Sequence, residues 1–182
     1  TSYGTLLFWP FSEQRVALNL IAIVDPIFTI ILLIGLLLGL WLPGQRLALV
    51  ALVLCAGYLG FAGIQQQRAQ EVMAELTAER SHEPQRQVVK PTLGNLLLWR
   101  SVYRYEERIY VDAVRVGLLA ENRIYPGGSV ARFNRRIELP GLDAETILER
   151  DIQRFERFSD GFVALDPGQE NVLGDMRYSM LP

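Results

Sequence analysis

Asp25, followed by Pro26, is the residue in the apolar part of the chain whose chemistry stands out. A charge at membrane depth is costly and tends to mark function, so Asp25 is a candidate functional residue. The same dipeptide is also a good helix start, because Asp at the N-cap accepts free backbone amides and Pro fits the first helical position. From the sequence alone, both interpretations stay open.

Polar side chains precede Asp25 and could surround it. They would supply hydrogen bonds or hold an anionic group of a substrate, and we predict this binding role for Ser2, Tyr3, Thr5, Ser12 and Arg15. For Arg15 the alternative is an anchor at the membrane interface, paired with lipid phosphate.

The elements that must position these residues follow from the distribution of charge. Of the 18 Lys and Arg residues 16 lie after Ile64, as do 18 of the 20 Asp and Glu residues. The first third of the chain is therefore too poor in charge for a water-exposed surface, which predicts a lipid environment. The net charge of -2 gives no basic surface for nucleic acid, so we expect no nucleic-acid partner.

Two apolar runs are long enough to span a bilayer. The first covers residues 17–42 and the second residues 47–64, with Pro43 and Gly44 between them as helix breakers. They predict antiparallel transmembrane helices joined by a tight turn. Small residues four apart could mark the helix contact, namely Gly35 with Gly39 and Ala56 with Gly60. The alternative is a buried hairpin of a soluble protein, but the chain has little other material to cover it.

Residues 65–90 predict a helical stalk and linker, and residues 91–182 a small α+β domain with an antiparallel sheet. Strands are expected at 96–105, 108–116, 130–133, 162–165 and 176–180, and a helix capped by Asp143 is expected to run to Phe158. His82, at the end of the stalk, is interpreted as a solvated histidine. Positive charges after the second apolar run place the polar domain in the cytoplasm.

Several phrases of the sequence resemble a known family. They are Thr1-Ser2-Tyr3-Gly4-Thr5, Pro10-Phe11-Ser12 with Arg15, Ile23-Val24-Asp25-Pro26, Val89-Lys90-Pro91-Thr92, Leu98-Trp99-Arg100-Ser101 and Tyr110-Val111-Asp112. This set is similar to the YdjM-like family of bacterial inner-membrane metal-dependent hydrolases.

The resemblance implies a divalent metal ion, zinc by expectation, at the membrane face. Its histidine ligands would lie in a motif before the Thr-Ser-Tyr-Gly-Thr phrase, and Asp25 would be a further ligand or base. That histidine motif is absent here, so we expect that the chain as given lacks most of the ligands, is cut at its N-terminus and is inactive.

Two functional hypotheses follow. The first is the C-terminal part of a metal-dependent hydrolase in the bacterial inner membrane, which acts on an amphiphilic substrate at the membrane surface. The second is a non-catalytic membrane-anchored binding or assembly module, since no catalytic motif follows Ile64. In both cases the lipid bilayer is a partner and self-association into a homo-oligomer is compatible with the apolar helices.

Overall fold

The computed structural model describes residues 4–12, 15–41, 45–118, 120–143, 145–166, 168–169 and 171–179. In chain order its elements are α1 Pro26–Trp41, α2 Gln45–Glu79, β1 Arg86–Pro91, β2 Leu98–Tyr105, β3 Arg108–Arg115, β4 Arg123–Tyr125, β5 Ser129–Ala131, α3 Arg135–Glu138, α4 Ile147–Phe158, β6 Val163–Leu165 and β7 Leu173–Asp175. The predicted class is confirmed, because two N-terminal helices precede a domain built on an antiparallel sheet.

The first helix is shorter than the first apolar run. α1 begins at Pro26, whereas residues 17–25 are not helical, and Asn19 has a positive φ of 50°. The carbonyls of Leu18 and Asn19 instead accept hydrogen bonds from Gln66 Nε2, at 2.8 and 3.2 Å. At about 1.5 Å per residue, α1 reaches roughly 24 Å, which is less than the roughly 30 Å of a hydrocarbon core.

The second helix continues without a break from the apolar run into the charged sequence. Its 34 residues Arg46–Glu79 are long and apolar enough to cross a membrane. It ends at Glu79, before Pro84, and its charged half is more than a solvated stalk. Ala69 and Met73 are fully buried there, because one side of α2 packs against other parts of the chain.

The apolar side chains of both helices point outward. α1 has no buried residue, and the exposed large side chains include Leu36, Leu40, Leu52 and Val53. Exposed apolar surface of this extent is covered by lipid or by another protein, rather than by water. The finding favours a membrane setting over the buried hairpin of a soluble protein.

The two helices approach each other at one of the predicted small residues. A Cβ added at Gly35 would lie 2.4 Å from the Cβ of Ala51, whereas one added at Gly39 or Gly60 would meet nothing within 4 Å. Of the predicted residues Gly35 and Gly39, only Gly35 therefore lies at the contact between α1 and α2. The turn predicted at Pro43 and Gly44 lies outside the described residues.

Replacing Gly35 by Leu is expected to weaken the pairing of α1 with α2 by about 1–3 kcal/mol, since the new side chain has no room beside Ala51. Thermal unfolding in detergent micelles, followed by circular dichroism, measures the change. Gly39→Leu adds the same side chain where space is open and should leave the transition unchanged. Equal losses in the two variants would contradict this contact.

The chain divides into two compact units. The first unit comprises Thr1–Leu76, Val89–Arg100 and Val114–Ile124, and the second unit comprises Thr77–Val88, Ser101–Ala113 and Tyr125–Pro182. The larger sheet has the order β1-β2-β3-β4, with β5 antiparallel to β3, and β6 pairs with β7 in a separate antiparallel ribbon.

In the second unit, apolar side chains from several elements form the core. Val102, Ile109, Phe162, Ala164 and Met176 make one buried cluster, and Phe133, Ile152 and Val163 make another. α4 contributes Ile152 to the second cluster. The core thereby fixes α4, which carries polar groups described below.

Several predicted boundaries differ from the structure. The cap of α4 is Thr146, whose hydroxyl accepts from the amide of Glu149 at 3.2 Å, while Asp143 accepts from the amide of Glu145 just before the helix. The last strand is β7 at Leu173–Asp175, earlier than the predicted 176–180. β1 was not predicted, because Arg86–Pro91 is short and polar at its start.

Candidate functional site

Asp25 caps the first helix. Its Oδ1 accepts a hydrogen bond from the backbone amide of Phe28 at 2.9 Å, and its carbonyl accepts from the Thr29 hydroxyl at 2.7 Å. The bond to Oδ1 is that of an N-cap, which satisfies an amide that has no partner within the helix. The helix start predicted from Asp25-Pro26 is therefore present.

The second oxygen of Asp25 ties α1 to α2. The Tyr58 hydroxyl donates to Asp25 Oδ2 at 2.8 Å, and the rings of Phe28 and Tyr58 lie 6.3 Å apart. Asp25 is only 3% exposed. Burial of a carboxylate is costly unless its oxygens are hydrogen-bonded, and here both oxygens are. Tyr58 was not predicted from the sequence as a site residue, because it lies within an apolar run of residues.

The predicted binding residues that the structure describes lie on the segment before Asp25. The backbone of Thr5 pairs with Val16 through two hydrogen bonds of 2.9 Å, which brings Thr5 next to Arg15 in space. The side chains of Thr5 and Arg15 are exposed and that of Ser12 is half-buried. Ser2 and Tyr3 lie outside the described residues.

The described residues do not fit the divalent ion that the resemblance implies. Within the described ranges, no group of three or more His, Cys, Asp and Glu side chains could hold a metal ion. Asp25 accepts one hydrogen bond at each oxygen, from the Phe28 amide and from the Tyr58 hydroxyl. Further ligands would have to come from outside the described residues.

A second polar cluster lies in the second unit and centres on Asp112. Arg80 donates from Nη1 to Asp112 Oδ2 at 2.8 Å and from Nη2 to Oδ1 at 3.0 Å, while the amide of Gly127 donates to Oδ1 at 3.0 Å. Asp112 is 3% exposed. The hydrogen bonds that Arg80 donates to Asp112 raise the pKa of the Arg80 guanidinium, which keeps it charged.

Tyr103 joins this ion pair to His82. Arg80 Nη1 donates to the Tyr103 hydroxyl at 2.8 Å, and His82 Nδ1 lies 3.0 Å from the same oxygen. The imidazole stacks on Tyr105 with ring centres 4.2 Å apart. His82 is thus half-buried among aromatic rings, not solvated as predicted. The sequence signal was weak, because Arg80 and His82 lie more than twenty residues from their partners.

Burial raises the pKa of the Tyr103 phenol, and Arg80 opposes this only in part. A folded-state pKa above the unfolded value stabilises the fold below about pH 10, and that contribution is lost as pH rises through the folded pKa. Tyr103→Phe should therefore show a shallower loss of stability above about pH 10 than the parent chain. Denaturant unfolding at a series of alkaline pH values measures how the free energy of unfolding changes with pH. Identical changes in the two proteins would contradict the raised pKa of Tyr103.

The second unit also contains a polar cleft with two adjoining lobes of about 610 and 430 Å³. Both lobes are lined by Arg132, Gln153 and Glu156. The larger is lined also by Arg86, Arg104, Arg157 and Asp160, and the smaller also by Glu107, Arg135 and Arg136. We call this the arginine cleft. Its six guanidinium groups outnumber its three carboxylates, although the whole chain is acidic.

Comparison with protein families bears on the first unit. Residues 1–69 match the model of the YdjM inner membrane protein family. We call these residues the YdjM segment. It holds α1, Asp25, Tyr58 and the apolar half of α2, and it confirms the resemblance in the N-terminal phrases. The later phrases, from Val89 onward, lie beyond the matched residues. No curated protein matches the chain, and neither does any solved structure.

The YdjM segment and the apolar helix α2 together place the chain at a membrane. This confirms the coarser part of the predicted localisation. The crossing of the bilayer by α1 and the cytoplasmic position of the polar domain stay predictions.

Proposed function

We propose that this chain is a membrane-anchored binding module, in which the apolar helices hold a ligand-binding polar unit at the bilayer. The arginine cleft is the observation that carries the proposal. It is an open, charged concavity of several hundred Å³ within a folded unit, where guanidinium groups converge and can attract a ligand of opposite charge. It lies outside the YdjM segment, so anchoring and binding fall to different stretches of sequence.

The geometry of Asp25 supports an anchoring role for the YdjM segment. One oxygen caps the N-terminus of α1 and the other accepts a hydrogen bond from Tyr58 of α2. The carboxylate therefore connects the two apolar helices. A catalytic base must lie within reach of the proton that it takes from a substrate. Asp25 is 3% exposed, so the described residues shield its carboxylate from such a contact.

Photocrosslinking in intact membranes tests the module. A photoreactive residue replacing Gln153, on the cleft side of α4, should capture partners that one replacing Arg154 does not. Arg154 is the matched control, because it lies on the same helix with its side chain 80% exposed. Identical capture from the two positions would contradict binding at the cleft.

We also propose that the second unit faces the cytoplasm, because basic residues are concentrated after the apolar part of α2. In a Cys55→Ser background, Arg154→Cys should react with a membrane-impermeant maleimide only after spheroplasts are permeabilised. Labelling of intact spheroplasts would reverse the orientation.

A second candidate function is a membrane-bound, metal-dependent hydrolase that acts on amphiphilic substrates. The family match over residues 1–69 favours it, since that segment contains the buried Asp25. In the full-length natural protein, divalent-metal content and hydrolysis of amphiphilic esters should both fall in Asp25→Asn. If metal content and hydrolysis were retained, Asp25 would have no such role.

A further inference from the structure

Arg104, on β2, carries a guanidinium that the described residues leave incompletely satisfied. Its Nε is buried and has no hydrogen-bond partner in the described part of the chain. Its Nη1 lies 3.4 Å from the carbonyl oxygens of Asp160 and Gly161, at the outer limit of hydrogen bonding. A buried donor of this kind costs free energy unless a ligand or a water molecule accepts from it.

Other cations crowd Arg104 in the arginine cleft. Burial lowers the pKa of its guanidinium, and the charges of Arg132 and Arg86 lower it further, against a smaller opposite effect of Asp160 and Glu107. Cations held close together without matching anions repel one another. An anion bound between them would remove this repulsion.

The neighbouring carboxylate of Asp160 is already in use. It accepts from Arg86 at 2.8 Å and from Arg177 at 2.8 Å, so two guanidinium groups share it. Arg132, in contrast, makes no ion pair with any residue in the described ranges. The positive charge of Arg104 and Arg132 is therefore available to a ligand.

The backbone beside Arg104 leaves room for its guanidinium. Gly161, at the end of α4, has a φ of +72°, and a Cβ there would lie 2.3 Å from Arg104 Nη1. Any larger residue at this position would displace the guanidinium. The turn thus holds Arg104 at the wall of the larger lobe, which Gly161 also lines.

We propose that the arginine cleft binds a phosphate group, held by Arg104 and Arg132 with Arg86 at its edge. The inference rests on the proposed function, in that the second unit is taken as the binding part, and it names the chemistry of the ligand. Guanidinium groups bind phosphate oxygens in paired, charge-assisted hydrogen bonds, and a phosphate dianion matches several cations better than a carboxylate does.

Glu156 gives the cleft a carboxylate that opposes an anion. It lines both lobes, between the arginines. Removing its charge should therefore strengthen binding, whereas removing a cation should weaken it. Opposite effects from two residues of one cleft cannot come from a general loss of folding.

Isothermal titration calorimetry on the whole chain in neutral detergent micelles tests the site, with inorganic pyrophosphate and glycerol 3-phosphate as probes. Arg132→Gln should weaken binding at least about tenfold, as expected for the loss of one charge-assisted hydrogen bond. Glu156→Gln should tighten it about threefold. Arg154→Gln and Asp151→Asn, on the exposed side of α4, are the matched controls, and each should leave the affinity for both probes unchanged. Circular dichroism verifies that each variant is folded.

Reconstitution in nanodiscs identifies the source of the phosphate. If nanodiscs that contain phosphatidic acid compete with pyrophosphate and phosphatidylcholine nanodiscs do not, a lipid headgroup is the ligand. If neither competes, the ligand is a soluble phosphate compound. Absence of binding to every probe, or equal affinity in Arg132→Gln and Arg154→Gln, would overturn the phosphate assignment. If crosslinking from Gln153 stayed site-specific in that case, the binding module itself would stand.

Discussion

Asp112→Ala is expected to lower the free energy of unfolding of the second unit by about 3 kcal/mol. The carboxylate is buried and accepts three hydrogen bonds, two from Arg80 and one from the amide of Gly127. Its removal leaves the guanidinium without its ion pair and the amide without an acceptor, while Tyr103 remains the other acceptor of Arg80. Hydrogen exchange of the β2 and β3 amides, measured by mass spectrometry, reports the change within this unit.

Asp151→Ala is the matched control for Asp112→Ala. Asp151 also pairs with an arginine, Arg154, but at 3.7 Å and with its side chain 59% exposed. A pair of this kind contributes between zero and about 1 kcal/mol. Comparable losses in the two variants would show that burial and geometry do not set the strength of the Arg80–Asp112 pair.

Asp25→Ala is expected to cost about 2 kcal/mol in the stability of the helix pair, because it removes an N-cap and the acceptor of the Tyr58 hydroxyl together. Asp25→Asn should cost less than about 1 kcal/mol, since Asn is an equally good cap and keeps an oxygen for the Phe28 amide. Thermal unfolding in detergent micelles, followed by helical circular dichroism, compares the two.

Tyr58→Phe separates the two roles of Asp25. It keeps the cap and removes only the hydroxyl that donates to Oδ2, so a loss of about 1 kcal/mol is expected. If Asp25→Asn were as destabilising as Asp25→Ala, the negative charge itself would matter, and the cap and tie would not suffice as an explanation. A larger loss of stability in Asp25→Ala than in Asp25→Asn would support the structural role of Asp25.

This comparison also separates the two candidate functions. A capping and tying carboxylate tolerates an amide in its place, whereas a metal ligand or a catalytic base does not. Stability and activity of Asp25→Asn therefore answer different questions. A stable Asp25→Asn that had lost hydrolysis would favour the enzyme, and a stable variant that kept full hydrolysis would show that Asp25 is neither a metal ligand nor a base. Absence of hydrolysis in the parent protein and in Asp25→Asn alike would favour the module.

Local sequence signals predicted the elements well where they were strong. Asp25-Pro26 marks the start of α1, and the strands predicted at residues 96–105 and 108–116 correspond to β2 and β3. Such signals depend on neighbours a few residues apart, so they can be read directly. Boundaries were less accurate, because Thr146 and Asp143 are both good caps, and only the path of the chain before α4 decided between them.

Packing decided what local signals could not. The charged half of α2 has a composition typical of a solvated stalk, but Ala69 and Met73 are buried in the structure. Gln65 is 1% exposed, and its side-chain amide lies 3.4 Å from the carbonyl oxygens of Leu96 and Val116. Small and amphipathic residues suit either surface or core, so their composition does not fix their environment.

The sequence by itself determined that Asp25 begins an apolar helix and that a polar α+β domain follows a membrane segment. It could not determine what Asp25 does, because that depends on Tyr58, thirty-three residues away on another helix. The tertiary structure decided that both carboxylate oxygens serve the helix pair. It also brought Arg104 and Arg132 to one cleft, since contacts between residues distant in sequence are set by packing and not by local pattern. We therefore propose an anchoring role for the start of α1 and a binding role for the second unit.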